Sequence, residues 1–195
     1  MIPQDIKSYY SVHSKFYDFT RWAFLFGRNK IADFLPNLPD NATIVDLGCG
    51  TGFHLTHLYD KYPLSNIIGL DLSPEMLVQV DDISVMLKNE KYDKSSFEAN
   101  SIDLMLCSYS LSMMPELDKK LEYILYHLKK SGMLLVVDFD STPFDWFSRW
   151  MKKNHVHFDS HLFKKLESRF DIEFTEVSKA YFGLYTYTIY YGKNW

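Results

Sequence analysis

Thr43-Ile44-Val45-Asp46-Leu47-Gly48-Cys49-Gly50-Thr51-Gly52 decides how the rest of this 195-residue chain reads. Its first five residues form a short β-rich run that stops at glycines. Phe53 to Asp60 follows with Leu55 and Leu58 on one face of a helix. Glycines between a strand and a helix allow positive φ and let a ligand lie directly against the backbone. The helix N-terminus behind them adds amide donors. A second buried run, Asn66-Ile67-Ile68-Gly69-Leu70, ends at Asp71, where an acid can accept both hydroxyls of a ribose. A nicotinamide fingerprint needs Gly-x-Gly-x-x-Gly. Gly48 and Gly50 fit its first two positions, but Phe53 stands at the third. The spacing found is Asp-x-Gly-x-Gly-x-Gly. It suits a cofactor without a pyrophosphate, whose cationic amino-acid end Asp46 can face. The bland alternative is a tight turn with no ligand.

Outward from this stretch, strands and helices alternate. Ser73-Pro74-Glu75 is a helix start, with Ser as N-cap and Pro at the first helical position. Ile102 to Cys107 reads as a strand. Glu116 to Lys130 reads as an amphipathic helix burying Leu117, Leu121, Leu125 and Leu128. Gly132 breaks it, and Met133 to Phe139 is the next strand. Such alternation predicts an α/β class fold, a Rossmann-like doubly wound sheet that is mainly parallel. Ile172–Val177 and Leu184–Tyr191 follow each other without a long helix between them, which predicts an antiparallel C-terminal hairpin closing a seven-stranded sheet. Residues 1–35 read as two helical pieces, the second interrupted at Gly27. Residues 81–101 should hold a strand, but the pattern there is weak. The expected organisation is a single domain, 1–195: a helical cap over 1–40, a cofactor-binding core over 41–140, and substrate-side helices with the closing hairpin over 141–195.

Composition narrows the function. Hydrophobic residues make up 47% and charged residues 24%, so one ordinary core is affordable without disulfides or metals. The net charge of -4 and the lack of a basic stripe argue against nucleic acid as a partner. Two cysteines, Cys49 and Cys107, make no disulfide framework and read as inert thiols. The N-terminus has no apolar signal core, and the longest apolar runs are too short to span a bilayer. The expected location is the cytoplasm, with or without peripheral contact to a membrane.

The glycine stretch resembles the first motif of class I S-adenosylmethionine-dependent methyltransferases. Gly69-Leu70-Asp71-Leu72-Ser73-Pro74-Glu75-Met76-Leu77 resembles the next motif, and Phe97-Glu98-Ala99-Asn100-Ser101-Ile102-Asp103-Leu104-Met105 the one on the fourth strand. The resemblance implies S-adenosyl-L-methionine as cofactor. Asp46, Gly48, Cys49, Gly50 and Gly52 would hold its methionine part and Asp71 its ribose. Leu72 and Met76 would flank its adenine, Asp93 would read the adenine amino group, and Ser108 would lie at the end of the fourth strand beside it. Asp81 or Asp82 is the alternative to Asp93.

Three further stretches are similar to the N-methyltransferases of betaine-lipid synthesis, which act on diacylglycerylhomoserine. They are Phe16-Tyr17-Asp18-Phe19-Thr20-Arg21 with Phe24-Leu25-Phe26-Gly27-Arg28; Ser108-Tyr109-Ser110-Leu111-Ser112-Met113-Met114-Pro115; and Val137-Asp138-Phe139 with Trp146-Phe147 and His155-Val156. That resemblance implies methylation of an amine on a lipid headgroup. A soluble small-molecule acceptor and a non-catalytic cofactor-binding module are the alternatives. Asn/Asp-Pro-Pro-Tyr, the catalytic motif of amino-directed nucleic-acid enzymes, is absent.

Methyl transfer needs alignment of nucleophile and methyl, and an amine nucleophile must lose its proton. The candidates for this work are Tyr17, Tyr109 and Asp138, with Arg21, Arg28, Trp146 and His155 on the substrate. Each has a plain alternative: the tyrosines as core aromatics, the arginines as surface charges. His155 and His157 lack a third partner for a metal. Phe144 to Lys153 reads as a helix behind a Ser141-Thr142-Pro143 cap. It is either an interfacial helix meeting a membrane or a lid on the pocket. Tyr181, Tyr185, Tyr187, Tyr190 and Tyr191 are either walls for a quaternary ammonium or an ordinary aromatic strand pair.

Overall fold

A computed structural model describes residues 24–81, 83–158 and 161–195. The expected helical pieces before Phe24, with Tyr17 and Arg21, lie outside the described residues. Among the described residues seven strands form one sheet in the order β3-β2-β1-β4-β5-β7-β6. They are β1 (Thr43–Leu47), β2 (Asn66–Asp71), β3 (Met86–Asn89), β4 (Ile102–Ser108), β5 (Leu128–Ser141), β6 (Asp171–Ala180) and β7 (Tyr185–Lys193). β1 to β5 pair in parallel, and β7 lies antiparallel between β5 and β6. The doubly wound sheet and its closing hairpin are therefore as the sequence predicts. The helices are α1 (Phe53–Lys61), α2 (Pro74–Leu77), α3 (Leu117–His127), α4 (Asp145–Lys153) and α5 (Leu162–Glu167).

The central strands are apolar throughout because both faces are covered. Ile44, Leu104 and Leu106 point to one side with Leu55 and Leu58 of α1. Val45, Leu47, Met105 and Cys107 point to the other with Leu121 and Ile124 of α3. The parallel register places Asp46 beside Gly69 and Leu106, so the ends of β1, β2 and β4 come together at one edge of the sheet. Ligands of doubly wound sheets bind at this carboxyl edge, where the strand order reverses.

Three local expectations are corrected. The helix expected to reach Lys130 ends at His127, because Leu128 turns extended (φ -66°, ψ 136°) and pairs with Ile102. The Asn194 side chain donates to the carbonyls of Leu125, Leu128 and Lys129, satisfying the end of α3. Gly132 lies inside β5 rather than before it; an added Cβ there would sit 2.8 Å from the Lys129 carbonyl oxygen and 2.9 Å from that of Ile102. Ser141 belongs to β5, and the cap of α4 is Phe144 without a side-chain bond. The neighbouring Thr142 hydroxyl instead links the Leu184 carbonyl to the Phe144 N–H. The unread strand is β3, an edge strand with Met86 and Leu87 exposed, which is why it lacks a buried alternation. α5, which was not expected, buries Leu162, Phe163 and Leu166.

Candidate active site

The chain leaves β1 through three glycines with left-handed φ: Gly48 (78°), Gly50 (56°) and Gly52 (83°). L side chains disfavour that conformation. At Gly48 a Cβ would also stand 2.5 Å from the Ser110 Cβ. The loop is pinned to β2. Gly48 and Cys49 donate to the Leu70 carbonyl at 2.7 and 3.2 Å, and the Gly50 N–H donates to Asp71 Oδ2 at 2.8 Å. The other Asp71 oxygen accepts from the Ser73 N–H at 2.9 Å. Asp71 thus ties the glycine loop to the turn after β2. The Ser73 hydroxyl caps α2 by accepting from Met76, as its sequence predicts.

A cavity of about 470 Å³ opens above this loop. Its floor is Asp46, Gly48, Cys49, Gly50 and Thr51. Phe53 and His54 come from the first turn of α1, and Ser108 from the end of β4. Gln79, Asp81, Leu25 and Arg28 complete the lining. The Arg28 guanidinium carbon lies 3.5 Å from the centroid of the Phe53 ring, a cation–π contact.

Asp46 is the least ordinary group here. It is 1% exposed, and neither carboxylate oxygen has a hydrogen-bond partner. Burial, reinforced by the charge of Asp71 and opposed by Arg28, pushes its pKa up to about 8. The Ser108 hydroxyl and His54 Nε2 are likewise buried without partners. Burial, helped by Arg28 and His57, pushes His54 down to about 3 and keeps it neutral. Buried polar groups are normally satisfied. A cavity lined by an unpartnered carboxylate, a hydroxyl and an imidazole, with backbone exposed at glycines, fits a polar ligand with a cationic end. These residues fit S-adenosyl-L-methionine, whose amino-acid end carries an ammonium group.

The structure gathers Asp46, Gly48, Cys49, Gly50, Ser108 and Arg28 around the cavity. Gly52 starts α1 directly behind it, and Asp71 holds the loop from β2. Leu72 follows on the turn, and Met76 is buried on α2. Asp93 is not brought in: its carboxylate accepts from the N–H and hydroxyl of Ser95, and its alternative Asp81 lines the cavity together with Asp46. Tyr109, with φ 54°, is buried and donates its hydroxyl to the Phe26 carbonyl at 2.5 Å. Asp138 is fully buried; it accepts from the N–H groups of Ser112 (3.0 Å) and Phe139 (2.8 Å). Burial lifts its pKa to about 6 against those bonds. Trp146 is exposed on α4. His155 lies in the turn after α4 with φ 64°, not in a strand, so it does not share a strand face with His157. Tyr185, Tyr187 and Tyr190 are buried in the core rather than facing a ligand, while Tyr181 is exposed. Cys49 and Cys107 are free, and burial raises the pKa of both thiols.

His54, Phe53 and Gln79 line the cavity without having been singled out in the sequence. Position supplied a signal for the first two, which open the helix directly after the last glycine of the loop. Gln79 had none, because it reaches the site only through the turn that follows α2.

A family model described as a methyltransferase domain matches residues 38–172. The trans-aconitate 2-methyltransferase of Deinococcus radiodurans is 31% identical over 97 residues, 49% of this chain and 37% of that one. The chain thus spans well under two thirds of the length of such relatives. Among solved structures, a geranyl diphosphate C-methyltransferase from Streptomyces coelicolor A3(2), crystallised with geranyl diphosphate and S-adenosyl-L-homocysteine, superposes with a TM-score of 0.71. It is 15% identical and aligned over 86% of this chain and 79% of that one. An S-adenosylmethionine-dependent methyltransferase from Mesorhizobium loti gives 0.68 at 18% identity, over 86% and 97%. Those two likenesses bear on the fold, and the family match on the lineage. With the glycine loop, the acid after β2 and the unpartnered carboxylate at the end of β1, they lead to one conclusion: the chain belongs to the methyltransferase domain family, of the class I, S-adenosylmethionine-dependent kind.

Proposed function

We propose that the chain methylates a small-molecule acceptor that carries a carboxylate, using S-adenosyl-L-methionine. The observation behind the cofactor site is Asp46, buried in the cavity with both oxygens unpartnered. When bound, the cofactor supplies a methyl group on a positively charged sulfur, an electrophile that chiefly needs alignment. Asp46 in its ionised form receives the ammonium, with Ser108 beside it. Asp71 has lone pairs left for the ribose hydroxyls while it holds Gly50 and Ser73. Leu72 and Met76 flank the adenine, and Asp81 takes the place at the adenine end that Asp93 was expected to hold.

Tyr109 and Asp138 are positioning residues in this account. Tyr109 fastens Phe26, two residues before Arg28, to the end of β4. Asp138 fixes the 3₁₀ turn Leu111–Met113 against β5.

The acceptor reading rests on Arg28, the basic side chain among the lining residues. Two acceptors of shared chemistry suit it. One is a soluble polycarboxylic acid of the kind named for the trans-aconitate 2-methyltransferases. The other is an amino-acid lipid headgroup such as that of diacylglycerylhomoserine, methylated on its amine. The second draws support from aromatic rings beside the mouth, where Phe24 lies 5.9 Å from Trp150 and 5.6 Å from Tyr181.

Transfer of radiolabelled methyl into lipid and aqueous extracts, scored separately, with trans-aconitate as a defined acceptor, tests both. Label confined to the aqueous phase removes the lipid headgroup. Arg28→Gln should raise the acceptor KM about tenfold or more with little change in kcat, the loss of a charge-assisted contact. An unchanged KM removes the carboxylate.

A further inference from the structure

Asp145-Trp146-Phe147-Ser148-Arg149-Trp150-Met151-Lys152-Lys153 folds as α4 with residues four apart sharing a face. Phe147 and Met151 are buried against the core. Trp146 and Trp150 form a second stripe, 58% and 43% exposed. Arg149 and Lys153, also four apart, are exposed. Beside this helix stands the turn between β6 and β7, Tyr181–Gly183. Phe182 at its tip has φ 56°, and its ring is completely exposed.

A phenylalanine in that place is costly on two counts. The left-handed conformation disfavours it, and its ring gains nothing from the fold. Turn tips ordinarily carry Gly, Asn or Asp, which meet the same backbone demand at little cost. The aromatic surface is also continuous. The Phe26 ring lies 5.0 Å from Tyr181, and Phe24 bridges Tyr181 to Trp150. Basic side chains border it at Arg149 and Lys153 on α4 and at exposed Lys179 just before the turn, in a chain of net charge -4. Asp145 is the single acid on the helix.

We propose that α4 and the β6–β7 turn dock on an anionic lipid bilayer. Phe182, Trp146 and Trp150 enter the boundary between headgroups and acyl chains, and Arg149, Lys153 and Lys179 meet the lipid phosphates. Aromatic rings favour that depth, and a basic border favours anionic lipid. Among the described residues no helix is long and apolar enough to cross a membrane. Leu25 lies between Phe24 and Phe26, and Arg28 two residues beyond Phe26; both line the cavity, so it sits next to the docked face. The docking does not depend on which acceptor is methylated.

Flotation of the full chain with vesicles of phosphatidylcholine, with or without phosphatidylserine, tests this. Wild type should float with the anionic vesicles and not with the neutral ones. Phe182→Asn keeps a residue tolerant of left-handed φ and removes the ring, so it should lower binding about tenfold while leaving the Tm intact. Arg149→Glu with Lys153→Glu should abolish the preference for anionic vesicles, with cofactor affinity by calorimetry unchanged. Absence of wild-type binding to anionic vesicles overturns the proposal, as does equal binding by both variants. A wild-type dimer that Phe182→Asn disperses, with no vesicle binding, also overturns it and assigns the face to a second copy. Cofactor binding is read separately, so failure here is distinct from failure of the methyltransferase account.

Discussion

Asp46 concentrates the chemistry of the cavity in one side chain. A buried carboxylate without partners is held protonated near neutrality, with its pKa raised to about 8 from an ordinary 3.8. Because the folded value is the higher one, the associated stability is full below pH 4 and lost as pH rises toward 8. A cationic ligand reverses the shift, so cofactor binding below pH 8 should release a proton, and affinity should rise with pH up to about that value. Calorimetry in two buffers of different ionisation enthalpy checks this, since the apparent heat should differ between them; a buffer-independent heat contradicts it. Asp46 was legible in the sequence because a strand-ending acid before the glycines has few other uses. His54 was less so: a histidine in the first turn of a helix looks like any surface residue until its burial and its empty Nε2 are seen.

Elements rather than residues explain why Asp93 stands away from the cavity that Asp81 lines. Tyr92 donates its hydroxyl to His127 Nδ1 at 2.8 Å, and His127 Nε2 donates to the Lys94 carbonyl at 3.1 Å. Lys120 adds a bond to the Tyr92 carbonyl. These contacts moor the loop after β3 along α3, and Asp93 goes with it. None of the partners is near Asp93 in sequence except Tyr92 and Lys94, so the local pattern held no trace of the tether. The C-terminal boundary of α3 was hidden for a similar reason, since its cap, Asn194, comes from the last residues of the chain. Tyr92→Phe leaves a buried imidazole nitrogen unpaired and should cost about 1–3 kcal/mol in urea unfolding, without loss of cofactor affinity. No loss of stability would show that the mooring is incidental.

On the scale of the whole molecule, strand alternation and one glycine loop were enough to predict a doubly wound sheet with an antiparallel closing hairpin. That inference needed only periodicity and the handedness of βαβ units, which are carried by the buried central strands. The proposed substrate side was less legible because it would be assembled from separated pieces: residues 24–28, the turn after β4, α4 and the β6–β7 turn. Tyr109 and Asp138 illustrate this, since both sit where functional groups gather yet spend their polar atoms on backbone. The carboxyl edge of β1 and β2 is the part on which everything else depends. Isothermal titration of S-adenosyl-L-methionine into wild type and Asp71→Ala tests it most directly. The prediction is clear binding by wild type and a loss of at least about tenfold in the variant, which lacks both the proposed ribose contact and the anchor of Gly50. No heat with wild type, or equal affinity in the two proteins, would contradict the account.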